Sequence, residues 1–354
     1  MSERNSAAPE KIKRPGLINQ LLPYLITAAI FIWLYKMIDF RKMLTILAGA
    51  DLIWFVPPMV LMTVVFALAD SFTFGNAYSW FNAKLTNFEK IECRTAPYVV
   101  QVFFSPLAEV LFVLYLWRRK KVPPSQAISS TIWTVVNDFA SVATALTIAV
   151  IFNLRTNLVP EIGIAWLAVL IFFWAGYFGN LIFWHSPLNP AMSAWIERSR
   201  EAGKDEQGGK RLVLRAAGEA VQLLRTFSLA RWRHYLWVYG VRIVLLVVGL
   251  GSNYAALKAV GVEVSPALAV IAIPIIFYGH FLPINVAGYG GPQALAILFF
   301  FNIGHRGTME QVAAYSFLWS TGFTVGRFLF GMIFIRGFMK NTFPEGFANW
   351  RKSA

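Results

Sequence analysis

The order of apolar and polar positions divides the chain into long hydrophobic stretches joined by shorter basic connections. A transmembrane helix needs about 20 mainly apolar residues. Six uninterrupted stretches meet this requirement: Asn19–Met37, Leu52–Phe72, Ile128–Ile151, Ile164–Phe183, Tyr235–Leu257 and Gln311–Ile335. The pattern therefore predicts an all-α integral membrane protein with about six full transmembrane helices.

Two further apolar stretches are interrupted by residues that disrupt helices. Pro97–Trp117 is interrupted at Ser105-Pro106, and Ala267–Phe301 is interrupted between Pro283 and Pro292. An irregular backbone in lipid leaves amide and carbonyl groups without partners, at several kcal/mol each. We therefore expect both breaks to be enclosed by protein or to line a polar cavity.

The positions of lysine and arginine predict how the chain crosses the membrane. Cytoplasmic loops carry an excess of these residues. The basic segments are the two chain ends, Arg118–Lys121 and the connection His185–His234. They all lie on the cytoplasmic side only if each interrupted stretch enters the membrane and returns to the side it came from, as a re-entrant hairpin.

With two re-entrant hairpins, the chain consists of two halves of opposite orientation, as in inverted-repeat transporters. Such proteins place their site near the bilayer midplane, where the broken elements of the two halves meet. The predicted organisation begins with a cytoplasmic basic tail at residues 1–18. A membrane domain follows at residues 19–335, with halves 19–151 and 164–335. A second cytoplasmic tail, residues 336–354, ends the chain.

A cytoplasmic loop, residues 185–234, joins the two halves. Within it, Lys210–Ala230 repeats its apolar and basic residues every three or four positions. This periodicity favours a basic amphipathic helix on the membrane surface, and an ordinary solvated linker helix is the alternative.

Composition supports a membrane protein and narrows its chemistry. The chain is 57% hydrophobic and 14% charged, with a mean hydropathy of +0.55, whereas a soluble domain carries roughly 25% charged residues. The net charge of +14 indicates basic loops beside anionic lipid headgroups rather than a nucleic-acid partner. One cysteine, Cys93, and four scattered histidines offer no ligand spacing, so we expect no metal and no cofactor.

Each break restarts a helix with residues suited to a helix N-terminus. Ser105-Pro106 combines a capping residue with proline at the first helical position. Gly291-Pro292 follows the flexible Gly288-Tyr289-Gly290. The restart lies at the buried tip of a re-entrant hairpin, so its amide donors and partial positive charge point inward. Two such ends suit an anion such as a lipid phosphate.

Four charged residues stand within the apolar stretches, where they are costly and usually paired. We predict that Arg242 and Arg327 hold the phosphate, and that Glu109 and Asp138 balance them or carry protons. The alternative for all four is a set of buried salt bridges that fixes the bundle.

Three polar residues lie near the second break. His280 and Asn285 are candidates to hydrogen-bond the ligand, although an interior hydrogen-bonded histidine is the plainer interpretation of His280. Gln293 lies in the first turn of the restarted helix, where its amide either faces the cavity or caps the local backbone.

These motifs resemble the flippase-like membrane domain of the lysylphosphatidylglycerol synthase family. Ser105–Glu109 is similar to the family's Pro-x-x-Gly-Glu motif, with alanine in place of glycine. Val136–Asp138 is a partial match to a Glu-Arg-x-x-Asp-like stretch. Pro283–Ala294 resembles a Pro-x-x-x-Gly-x-Gly-x-x-Glu-Ala motif, with Pro292-Gln293 in place of Arg-Glu. The similarity runs roughly from Leu21 to Ile335.

The resemblance implies a transporter that moves an anionic phospholipid or a lipid-linked headgroup between leaflets. In the synthases a soluble aminoacyl-transfer domain follows the membrane domain, and it is not expected in a chain that ends at Ala354. We therefore expect a transporter rather than an enzyme. No Gly-x4-Gly-Lys motif is present, so movement is expected to be energy-independent or proton-coupled.

Two other functions are compatible with the sequence. One is an integral membrane transferase that modifies a lipid with Asp138 and His280. The other is a non-catalytic membrane partner of a separate glycolipid, hopanoid or aminoacyl-lipid synthase, held through the basic loop Arg198–Arg233. We expect the chain in the cell's inner membrane, and the basic tails predict that both termini are cytoplasmic. The lipid, the direction of movement and a homo-oligomeric state are left open.

Overall fold

The fold is a helical bundle whose five longest helices are each long and apolar enough to span a membrane. The computed structural model describes residues 38–102, 105–157, 164–185, 226–279 and 289–344, with the single residues 32, 194 and 223. No strand occurs in these ranges. The predicted all-α membrane class is therefore confirmed, whereas the predicted helix Asn19–Met37 and most of Lys210–Ala230 lie outside the described residues.

The helices that the structure describes are, in chain order, α1 (Phe40–Ala48), α2 (Leu52–Phe81), α3 (Asn87–Thr95), α4 (Tyr98–Gln101), α5 (Ser105–Lys120), α6 (Pro124–Thr156), α7 (Ile164–His185), α8 (Trp232–Ala259), α9 (Pro266–Gly279), α10 (Gly291–Ala296) with a π-helix at Ile297–Ile303, and α11 (Met309–Thr342).

The spanning helices are longer than the apolar pattern predicts, and α2 shows why. The Asp51 side chain caps its start by accepting hydrogen bonds from the amides of Ile53 and Trp54, at 2.9 and 3.4 Å. The helix then runs past Phe72 to Phe81, where residues such as Thr73 and Tyr78 are buried among other helices. At 1.5 Å per residue it is about 45 Å long, more than the roughly 30 Å of a hydrocarbon core.

Helices α2 and α8 run antiparallel and define the two ends of the bundle. At one end the amide of Asp51 donates to the carbonyl of Ala259 at 2.8 Å. At the other end Trp80 stacks on His234, with ring centroids 4.6 Å apart. These ends are called the Asp51 side and the Trp80 side below.

The first hairpin consists of α3, α4 and α5, and both of its ends lie on the Trp80 side. It begins shortly after α2 ends, and Glu89 in its first turn pairs with Lys120, the last residue of α5, at 2.7 Å. The descending arm starts at Asn87, ten residues before the predicted Pro97. Hydropathy misses this arm because its polar residues bind inside the bundle; for example, Glu92 accepts a 2.7 Å hydrogen bond from Asn341.

The second hairpin, α9 with α10 and the π-helix, has both ends on the opposite side. It begins just after α8 ends. Its two arms are in contact near that end, where Gly304 lies so close to Leu268 that a Cβ on the glycine would be 2.6 Å from a methyl of the leucine. The ends of the two hairpins therefore lie on opposite sides of the bundle, and the inverted repeat stays a prediction. The return arm of the second hairpin contains a π-helix, a wide turn frequently found at functional sites.

The Glu89–Lys120 pair closes the first hairpin and gives it a pH dependence. Burial favours a higher pKa for Glu89, but hydrogen bonds from Lys120 and from the amide of Thr86 outweigh it and hold the pKa below its ordinary value. The stabilisation is therefore present above the unfolded-state pKa and is lost as the pH falls through the folded value. We expect Lys120→Gln to lower the free energy of unfolding in micelles by about 1–2 kcal/mol at neutral pH and to flatten its acid dependence.

Lys84→Gln is the matched control, because Lys84 is exposed and lies just before the same hairpin. If the two variants lose the same stability, the hairpin is not held by the Glu89–Lys120 pair.

Close packing of α2 against α11 depends on two glycines one turn apart. A Cβ on Gly322 would lie 2.5 Å from the ring of Phe55, and one on Gly326 would overlap the side chain of Thr63. Small residues spaced by four allow membrane helices to approach closely. We expect Gly326→Val to destabilise the protein by about 1–3 kcal/mol, whereas Gly176→Val, at a site with open space, stays close to wild type in the same unfolding assay.

Candidate functional site

A continuous row of oppositely charged side chains lies inside the bundle. Nη1 of Arg94 donates to both carboxylate oxygens of Glu109 at 2.9 Å, and its Nε donates to Asp70 at 2.6 Å. Arg242 lies 3.6 Å from Asp70 through Nη2. It grips Asp138 with two hydrogen bonds, at 2.6 and 3.0 Å. The order is Glu109, Arg94, Asp70, Arg242 and Asp138, and we call it the charge row.

The charge row lies deep within the spanning helices. Arg242 is ten residues along α8 from Trp232, and Asp70 is eleven residues before the end of α2 at Phe81. At 1.5 Å per residue, both are about 15 Å from the Trp80 side. The row therefore lies about a third of the way along α2 from the end on the Trp80 side.

The centre of the charge row is buried and its two ends are partly exposed. The side chains of Asp70, Arg242 and Arg94 are 5%, 7% and 10% exposed. Those of Glu109 and Asp138 are 40% and 34% exposed. Each end of the row is therefore a carboxylate that reaches the surface of the bundle while it holds a buried arginine.

Aromatic residues hold the two arginines in place. The ring of Phe74 lies 3.8 Å from the guanidinium carbon of Arg94 and 5.9 Å from that of Arg242. Tyr98 donates its hydroxyl to Asp70 at 2.8 Å. Cation–π contacts and a hydrogen-bonded central carboxylate give both guanidinium groups fixed orientations.

Arg327 lies beside the charge row without joining it. Within the described residues it forms no ion pair, and its buried Nε has no hydrogen-bond partner. Its guanidinium faces the rings of Phe323 and Phe66 at 4.5 and 5.8 Å, and its charge acts on Tyr98 and Asp70. With Arg327 included, three arginines balance three carboxylates.

The structure joins three of the predicted site residues, Glu109, Asp138 and Arg242, and places Arg327 next to them. The second break forms a separate, neutral group. There the side-chain oxygen of Gln293 accepts from the amide of Gly290 at 2.7 Å, and its nitrogen donates to Ser320 at 3.1 Å.

Gln293 therefore caps the local backbone, the second of the two roles predicted for it. Gly291 begins α10 after Gly290, whose φ of +114° is a backbone conformation that favours glycine. Ser105 and Pro106 are the first two residues of α5, as predicted for the helix restart. Predictions for His280, Asn285 and Gly288 fall outside the described residues.

Sequence reasoning missed Asp70, Arg94 and Tyr98. Asp70 had a detectable signal, because it is a carboxylate inside the predicted span Leu52–Phe72. Arg94 lies between the predicted apolar stretches Leu52–Phe72 and Pro97–Trp117, and the structure places it inside the bundle. The residues around Arg94 in the sequence are also polar, so hydropathy did not indicate that this segment is buried.

These observations define a multi-pass, all-α membrane protein with an ionic site buried among its spanning helices. The family described as the lysylphosphatidylglycerol synthase TM region matches residues 20–326. The chain belongs to this family, which confirms the resemblance noted in its motifs and indicates a membrane lipid-related function. No curated protein and no solved structure is similar enough to count as a match.

Proposed function

We propose that the protein moves an anionic phospholipid or lipid-linked headgroup between leaflets, and that the headgroup phosphate binds the arginines of the charge row. The observation that carries the proposal is the open carboxylate at each end of a buried row. In this view Glu109 and Asp138 occupy the places that a phosphate takes on Arg94 and Arg242.

Ionic chemistry favours this exchange. The planar guanidinium fork matches a phosphate as well as it matches a carboxylate. A headgroup phosphate that replaces Glu109 on Arg94 keeps the buried cation paired, so the cost of an isolated charge in the membrane is avoided. The partial exposure of Glu109, at 40%, allows its carboxylate to swing away from Arg94.

The same exchange offers a route to proton coupling. Protonation neutralises Glu109 and weakens its two hydrogen bonds to Arg94. The guanidinium is then available to the phosphate, and return of the carboxylate expels it. Asp138 is the second proton carrier in this scheme, on the other end of the row.

The two oppositely placed hairpins support alternating access to the row. In inverted-repeat transporters the broken elements enter the membrane from both faces and the repeats rock about a site at the midplane. We infer that both hairpins are re-entrant in the bilayer, with the Trp80 side cytoplasmic as the basic loops predict.

Leaflet-specific quenching in vesicles tests the proposal. Purified protein is reconstituted with fluorescent phosphatidylglycerol or phosphatidylcholine, and equilibration between leaflets is timed. We expect at least roughly ten-fold faster equilibration of the anionic lipid than in protein-free vesicles, and loss of this gain in Arg94→Gln. Arg155→Gln is the control, because Arg155 is exposed at the far end of α6.

Equal rates with and without protein for every anionic headgroup would overturn transport. Co-purification of a soluble synthase with such an inactive protein would then favour the role of a non-catalytic membrane partner.

A further inference from the structure

The ends of α5 and α11 form a groove on the Trp80 side, distant from the charge row. Arg118 joins the two helices by donating to the carbonyl of Thr342 at 3.4 Å, and its guanidinium lies 5.5 Å from the ring of Phe343. The groove has a volume of about 460 Å³, within the size range of ligand sites. We call it the basic groove; the lining residues used below are Trp117, Arg118, Arg119, Lys121, Lys340 and Thr342.

The basic groove concentrates positive charge. Four of its lining residues are cations, and no carboxylate is among the described residues that line it. The neighbouring Lys120 points elsewhere, to Glu89 at 2.7 Å. Arg119, Lys121 and Lys340 are exposed at the groove, so their charges face whatever enters it.

Two of the lining residues indicate the kind of ligand. Thr342 is fully buried, and its hydroxyl has no hydrogen-bond partner within the part of the chain that the structure describes. Trp117 at the rim is 48% exposed, and tryptophan at the end of a membrane helix marks the level of the lipid headgroups. A hydroxyl group and several cations that line one groove at this level suit a phosphate group that belongs to a lipid.

We propose that the basic groove binds the phosphate headgroup of an anionic phospholipid in the leaflet on the Trp80 side. Basic pockets between membrane helices recognise anionic headgroups in this way. The site is separate from the charge row, and binding there does not require that the protein transports lipid. Cations also neutralise the negative ends of α5 and α11, a role that predicts no ligand and that the experiment distinguishes.

Native mass spectrometry of the intact protein tests the site. Wild-type protein in a neutral detergent is titrated with phosphatidylglycerol, with zwitterionic phosphatidylcholine and with inorganic phosphate. We expect one phosphatidylglycerol to be retained preferentially. In the triple variant Arg119→Gln, Lys121→Gln and Lys340→Gln, its affinity should fall at least about ten-fold, since each cation near the surface contributes to headgroup attraction.

The matched control removes the same charge from the same side of the bundle, through Lys84→Gln, Arg231→Gln and Arg233→Gln, all at exposed positions. It should retain wild-type affinity, and so should the charge-conserving pair Arg119→Lys and Lys340→Arg. An equal loss of affinity in the control variant would overturn the proposed lipid site in the groove, because the basic face as a whole would then attract the lipid.

Two other results would also overturn the inference. If inorganic phosphate binds as tightly as phosphatidylglycerol, the site serves a soluble ion. If wild-type protein shows no preference for phosphatidylglycerol, the cations only neutralise the negative ends of α5 and α11. Because the experiment measures binding, none of these results depends on the transport assay. If the protein proves not to transport lipid, the inference that the basic groove binds lipid still stands.

Discussion

Replacing Arg242 by methionine is expected to lower the free energy of unfolding by about 3 kcal/mol. The substitution leaves Asp138 without its two hydrogen bonds and removes one of the cations beside Asp70. Removal of one partner from a buried pair costs roughly 3–5 kcal/mol. The lower end applies because Asp138 is 34% exposed and water compensates part of its charge. Unfolding in mixed micelles measures the loss.

The paired variant Arg242→Met with Asp138→Leu should recover most of this stability. Replacing a whole buried ion pair with apolar residues is often neutral or stabilising, and Asp70 keeps Arg94 and Tyr98 as partners. The double variant thereby separates the contribution of the ion pair to stability from its contribution to transport. If the double variant is as unstable as the single one, the pair is needed for the fold itself and its exchange with a phosphate is ruled out.

Glu109→Gln is expected to slow transport of an anionic lipid by about ten-fold or more and to remove its dependence on pH. The glutamine keeps the shape of the side chain but is always neutral, so it leaves Arg94 open to the phosphate and cannot return as a carboxylate, with two charged hydrogen bonds to Arg94, to expel it. A hydrogen bond to a charged group is worth about 1.5–3 kcal/mol, equivalent to roughly 10- to 100-fold in rate. Vesicle assays across a range of pH measure both effects.

Glu263→Gln serves as the control, because Glu263 is exposed in the connection between α8 and α9. It should leave the rate and the pH profile unchanged. Transport that proceeds at the wild-type rate in Glu109→Gln, with the wild-type pH profile, would contradict proton coupling.

Much of the architecture followed from the hydrophobic pattern. Apolar length predicted the spanning helices, since hydrocarbon demands about 20 apolar residues whatever else the chain does. Proline and glycine predicted the restarts at Ser105 and Gly291, because both residues act on the backbone locally. Charge placement predicted re-entrant hairpins that enter from opposite faces of the membrane. The contacts of Glu89 and Gly304 place the ends of the two hairpins at opposite ends of the bundle, and their insertion into a bilayer stays a prediction.

The pairing within the charge row could not be predicted in the same way. Arg94 lies 24 positions from Asp70, and Arg242 lies 104 from Asp138, so only tertiary packing brings them together. The arm Asn87–Thr95 has few apolar residues, and it enters the bundle because Asp70, Glu109 and Asn341 satisfy its polar side chains. Hydropathy measures the cost of polar groups in lipid but not the partners that offset it.

The central claim is that the charge row handles lipid headgroups and does not merely hold helices together. Transport of phosphatidylglycerol in vesicles containing the double variant Arg242→Met with Asp138→Leu tests it most directly, because this variant is expected to be folded and stable. The account predicts that the variant equilibrates phosphatidylglycerol no faster than protein-free vesicles, while wild-type protein accelerates it at least roughly ten-fold. Wild-type transport by this variant would contradict the claim, since the exchange would then proceed without one end of the row.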